Sequence, residues 1–184
     1  MSKNFFEIKD VTFAIGGKNK VNDVNISIKN EGDTICLLGP SGIGKTTMLR
    51  TIAGLEKINK GEIILKDKVL SSDKIHIEPE KRNIALSFQE NSLFPHYSVD
   101  KNIHLGIKKN SPTDKNINSK EIIKILNIED ILSKYPHQIS AGEAQRASLA
   151  RSLISQPDLL LLDEPLSNVD QSFKEDIQVS LKQL

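Results

Sequence analysis

The residues best suited to chemistry fall in three short runs. Gly39, Pro40, Ser41, Gly42, Ile43, Gly44, Lys45 and Thr46 spell GPSGIGKT, two glycines with four residues between them, followed by lysine and threonine. Glycines let the backbone curl until successive N–H groups point at one phosphate. A helix starting near Lys45 adds its positive end to the same anion. Lys45 is then within reach of β and γ phosphates, and the Thr46 hydroxyl of a Mg²⁺ ion. An ordinary glycine turn could use these residues. The apolar TICLL before them and TTMLRTIA after them, which includes Thr47, supply the strand and helix that a phosphate loop requires. Binding of a nucleoside triphosphate is the expectation.

The second run, LLLLDEP, sets Asp163 and Glu164 at the end of an apolar strand. In doubly wound sheets ligands bind where such strands end. Asp163 is expected to hold Mg²⁺ through water. Glu164 is expected to point elsewhere and to orient or deprotonate an attacking water. Taken alone, the pair also fits a solvated turn. In the third run, ISAGEAQR, Ser140 and Glu143 have the spacing of a capping box. A cap alone would justify both residues. The same helix start, with the small Ala141 and Gly142, is also open to an anion.

The elements that must position these runs are legible in outline. FFEIKDVTFAI and VNDVNISIKN alternate apolar and polar residues, as half-buried antiparallel strands do. DTICLLG reads as a strand covered on both faces, with Cys36 a buried thiol. KTTMLRTIAGL reads as a helix stopped at Gly54. GEIILKDKVL reads as a strand or hairpin, and NIALSF as one more strand. Between Ser98 and Ser133 the short apolar patterns are helical, broken by the polar loop KKNSPTDKNINS. SAGEAQRASLARSLISQ reads as a helix ending by Pro157, DLLLLDE as a buried strand, and NVDQSFKEDIQVSLKQL as a last helix. The order implies an α/β core with a helical subdomain inserted at 90–139.

Composition fits one domain of 184 residues, 38% hydrophobic and 27% charged. A net charge of +1 gives no case for a nucleic-acid binder. The single cysteine fits a reducing, cytoplasmic setting. No apolar run reaches the roughly 20 residues of a membrane span.

GPSGIGKTT, SFQENSLFPH, ISAGEAQRASLARSL and LLLLDEPLSNVD stand in the order found in ATP-binding cassette (ABC) transporter ATPase subunits, and the chain resembles that family over nearly its whole length. The resemblance implies an α/β fold with a P-loop NTPase core, a mixed sheet with helices, carrying an antiparallel β subdomain and the inserted helical subdomain. It implies one ABC-type domain over 1–184, using ATP and Mg²⁺. Gln89 would sense Mg²⁺ and water and couple to the membrane subunit. Asp170 would lie across a dimer interface, and Phe13 would stack on adenine, although a core strand phenylalanine also fits. Ser140, Gly142 and Glu143 would reach the γ-phosphate of ATP held by a partner.

The implied partners are a second ATPase subunit, head to tail, transmembrane permease subunits and, indirectly, a solute-binding protein. The implied place is the cytoplasmic side of the plasma membrane. EPEKRNIALSFQENSLFPHYSVDKNI looks most like the ferric-iron group of importers, near those for polyamines and thiamine.

The chain departs from the family at Ala141, usually glycine, at Glu143, more often glutamine, and at Ala144, usually polar. The family also continues past the last helix to a switch histidine. His76, His96, His104 and His137 all precede Asp163, so the sequence is expected to stop short of that residue. Two other classes share part of the pattern: a weakly active ATP-binding regulator, and a soluble ABC ATPase outside transport. The coiled coil or the paired cassettes with basic linkers of the second class are not found here.

Overall fold

A computed structural model describes residues 4–16, 19–87, 93–105, 107 and 118–164. The chain divides into two compact units, Met1–Ile84 and Ala85–Leu184.

The first unit is built on an antiparallel sheet of strands β1 (Phe6–Ile15), β2 (Asn19–Ile28), β3 (Lys60–Leu65) and β4 (Lys68–Ser71), in the order β2-β1-β3-β4. In β1, Phe6 and Ile8 are buried, and so are Val11 and Phe13. Those two pairs have opposite parity, so a regular strand would expose one of them. An irregularity between Ile8 and Val11 absorbs the extra residue, and Asp10 there is left-handed, with φ 47°. Asn25 holds the irregular stretch. It accepts from the Asp10 amide at 3.0 Å and donates to the Asp10 carboxylate at 3.1 Å. Lys66 and Asp67, with φ of 48° and 64°, close β3 onto β4 in a two-residue turn that matches strand twist. The hairpin alternative for GEIILKDKVL is the one adopted.

Helix α1 (Lys45–Ala53) buries Leu49, Thr51, Ile52 and Ala53. Its C-terminal carbonyls meet Arg82, a residue 2% exposed. Arg82 donates to Thr51 O at 3.3 Å, Ile52 O at 2.9 Å, Ile77 O at 2.6 Å, Leu70 O at 3.3 Å and Ser71 Oγ at 2.8 Å. A methyl group at Gly54, the left-handed C-cap, would collide with the Arg82 guanidinium.

The run expected to be a doubly covered strand differs. Residues 34–40 have no regular secondary structure, Ile35 is 46% exposed and Leu38 91%. Cys36, expected to be buried, is exposed. An apolar run becomes a strand only where ladder partners take up its backbone groups, and the sheet of this unit is completed without it.

In the second unit, β5 (Ile84–Ser87) and β6 (Leu159–Leu162) form a two-stranded sheet. Helices α2 (Val99–His104), α3 (Ser119–Ile125) and α4 (Ala141–Ile154) surround one core that includes Val99, Ile103, Ile122, Leu126, Leu149 and Leu153. Ser98 caps α2 by accepting from the Lys101 amide, and Asn118 caps α3 by accepting from the Lys120 amide. Asn102, fully buried, accepts from Phe94 N at 2.7 Å and donates to the carbonyls of Phe94, Tyr97 and Ser98. Of β6 only Leu161 is buried. The expected cover on both faces is partial, with Leu160 and Leu162 packed against the helical core. The expected last helix lies outside the described residues. Among the described residues no helix is long and apolar enough to cross a membrane.

Candidate functional site

The phosphate loop occupies the first unit. Gly44 is the N-cap of α1 and is left-handed, with φ 105°. A methyl group there would come within 2.6 Å of Ile15 Cδ1 and 3.3 Å of Val21 Cγ2, so glycine satisfies both the conformation and the approach to the β1–β2 hairpin. No side chain caps the helix. Its first N–H groups therefore remain to be satisfied by another group. Lys45 Nζ folds back over the loop and donates to Gly39 O at 2.7 Å and Pro40 O at 3.0 Å. Ser41, Gly42, Ile43 and Thr46 are exposed, and Thr47 O accepts from Thr51 Oγ1 at 2.8 Å. A curled loop, an open helix start and a tethered ammonium make a receptor for a polyphosphate.

The carboxylate pair and the capping box occupy the second unit. Asp163 is 9% exposed, and its amide donates to Ser87 O at 3.1 Å, extending the β5–β6 pairing. Glu164 is exposed and left-handed, with φ 47°. The chain turns sharply between the two, so the carboxylates lie in different environments, one buried and one in solvent. Gln145 of α4, itself 2% exposed, donates from Nε2 to Glu164 O at 3.1 Å. Among the described residues the buried Ser87 hydroxyl has no hydrogen-bond partner.

At the start of α4 the capping box is complete. Ser140 Oγ accepts from Glu143 N at 3.2 Å, and Glu143 Oε2 accepts from Ser140 N at 2.7 Å. These two bonds to Ser140 hold the Glu143 carboxyl below the usual carboxylate range. Ala141 is exposed and Gly142 half-buried, so the helix start presents little bulk.

Each unit thus gathers one group of expected residues: Gly39 to Thr47 in the first; Ser140, Gly142, Glu143, Asp163 and Glu164 in the second. Phe13, expected on adenine, is a core residue of β1, 2% exposed and paired with Val21, so its ring faces are closed. Gln89 and Asp170 lie outside the described residues. Three residues went unassigned in the sequence: Arg82, Gln145 and Ser87. The one available signal was a glutamine in a helix whose other buried residues are small or aliphatic.

The family model described as "ABC transporter" matches residues 21–167. The chain belongs to the ABC transporter family. One member, the Fe(3+) ions import ATP-binding protein FbpC 1 of Pectobacterium atrosepticum, is 39% identical over 184 residues, covering 99% of this chain and 51% of that protein. Another, the spermidine/putrescine import ATP-binding protein PotA of Nitrosospira multiformis, is 39% identical over 177 residues, 95% of this chain and 47% of that one. The chain spans about half the length of the curated relatives it matches. Among solved structures, the dimeric post-hydrolysis state of the ATP-binding cassette MJ0796, bound to ADP and Pi, superposes with a TM-score of 0.80 at 27% identity, over 97% of this chain and 82% of that one. The fold is that of an ABC ATPase cassette, α/β with a P-loop NTPase core.

Proposed function

We propose that this chain is the ATP-binding and ATP-hydrolysing part of a solute importer. The observation that carries the reading is the phosphate loop: left-handed Gly44 opens α1 without a side-chain cap, and Lys45 Nζ lies tethered over the loop at 2.7 and 3.0 Å from two carbonyls. Lys45 and the amides at the start of α1 bind the β and γ phosphates. Thr46 and Asp163 offer a hydroxyl and a carboxylate, the hard oxygen donors that Mg²⁺ prefers. Mg²⁺, if held by such donors, would neutralise charge on the transferred phosphoryl group. Glu164, exposed where Asp163 is not, takes the proton of the attacking water.

Ser140, Gly142 and Glu143 meet the nucleotide of a second copy in a head-to-tail pair, a reading supported by likeness to a dimeric cassette. Gln89 and Asp170 take the roles of their family positions, Gln89 toward Mg²⁺ and the permease and Asp170 across the interface. The helical subdomain at 90–139 is the part that meets the permease, at the cytoplasmic face of the plasma membrane, with a solute-binding protein upstream. Ferric iron is the solute we favour, supported by the likeness to FbpC 1.

The test is Mg²⁺-dependent phosphate release by the purified chain, beside Glu164→Gln and Lys45→Ala. Expected are turnover in the wild type, its loss with ATP still bound in Glu164→Gln, and loss of binding in Lys45→Ala. Wild-type nucleotide affinity in Lys45→Ala would remove the phosphate loop from its role.

A further inference from the structure

Gln145 has a position that a packing residue does not need. It lies just past the first turn of α4 and is 2% exposed, and its Nε2 donates to Glu164 O at 3.1 Å. A buried primary amide is tolerated where its hydrogen bonds are met. The residue it grips sits at a sharp turn. Glu164 is a non-glycine residue with φ 47°, a conformation that persists only where the surroundings impose it. The turn is held from two sides: β5 takes the Asp163 amide through Ser87 O at 3.1 Å, and α4 takes the Glu164 carbonyl through Gln145.

We propose that Gln145 is the positioning residue for Glu164. By fixing the carbonyl it fixes the orientation of the Glu164 peptide, and with it the direction in which the carboxylate leaves the strand end. The helix that opens with the Ser140 cap therefore also aims the base. This rests on the reading of Glu164 as the base that activates water. Gln145 touches neither water nor nucleotide in this role and acts through the backbone of its neighbour.

Two variants of the full chain test it. Gln145→Leu keeps the volume and removes the donor. Its kcat for phosphate release is expected to fall roughly ten- to a hundred-fold, with KM and ATP affinity near wild type, as a small misplacement of a reacting group does. Hydrogen exchange at the Asp163 and Glu164 amides is expected to quicken, while the rest of α4 keeps its protection. Gln145→Glu cannot donate when ionised but can when protonated. Its turnover relative to Gln145→Leu is expected to rise as pH falls, which a loss of packing alone would not produce. Wild-type kcat and wild-type exchange in Gln145→Leu would overturn the proposal. If Glu164→Gln turns over like wild type, the base reading of Glu164 fails, and the exchange rates still decide whether Gln145 holds the turn. If Gln145→Leu does not fold, Gln145→Glu against wild type gives the same two readouts.

Discussion

Lys45, Glu143 and Ser87 show how differently single residues are constrained. Lys45 is fixed by chemistry, since an ammonium that reaches phosphates has to stand beside the loop that curls around them. Ser87 is constrained by nothing local, and its hydroxyl is buried with no hydrogen-bond partner among the described residues. A buried polar group left unpaired costs roughly 1–3 kcal/mol. Ser87→Ala is therefore expected to raise unfolding free energy in urea by about 1 kcal/mol. A destabilised alanine variant would show that the hydroxyl contributes a bond. Glu143 has a pH-dependent part. Its bonds to Ser140 depress its carboxyl in the folded chain, so its stabilisation is complete above the unfolded value and disappears as pH falls through the lower, folded value. The stability gap between wild type and Glu143→Gln is expected to shrink on acidification through the carboxylate range. A gap independent of pH would exclude the charged cap.

At the scale of elements, the ends of helices carry most of the design. α1 is open at its start and clamped at its finish. Arg82 contacts to Thr51, Ile52, Leu70, Ser71, His76 and Ile77 tie its last turn to β4 and to the stretch before β5. The positive fork also meets the negative end of the helix dipole. Burial draws the Arg82 guanidinium down to about 10, still charged at neutral pH. Lysine carries the charge but not the planar fork of donors. Arg82→Lys is expected to lose about 2 kcal/mol of stability in chemical denaturation, because buried carbonyls lose their donors. Stability equal to wild type would mean that the last turn of α1 holds itself. At α4 the cap is worth about 1 kcal/mol by its type, and Ser140→Ala should lower the melting temperature accordingly.

For the whole molecule, each unit holds half of the proposed chemistry, the loop in one and the carboxylates with α4 in the other. A closed pair of copies is expected only with ATP bound, since ATP would contact both copies and its hydrolysis would remove that difference. Glu164→Gln with Mg²⁺ and ATP is expected to elute as a dimer in light scattering, and as a monomer without nucleotide. A monomer under both conditions would exclude the head-to-tail arrangement.

The sequence by itself determined whatever depends on near neighbours along the chain. The GPSGIGKT loop and the Ser140–Glu143 box are local geometries, set by residues a few positions apart, while GEIILKDKVL left strand and hairpin open until the Lys66–Asp67 turn closed it. Alternation in β1 and β2 foretold the hairpin, though not the irregularity at Asp10, which parity between Ile8 and Val11 demanded. Tertiary structure decided the rest, because it depends on residues far apart in the chain. Gln145 meets Glu164 across 19 residues and Arg82 meets Thr51 across 31. Phe13 had the right type and place for an adenine platform, and the sheet closed over it. The apolar run at 34–40 had the pattern of a buried strand, but a strand exists only through its neighbours, and the pattern does not supply them.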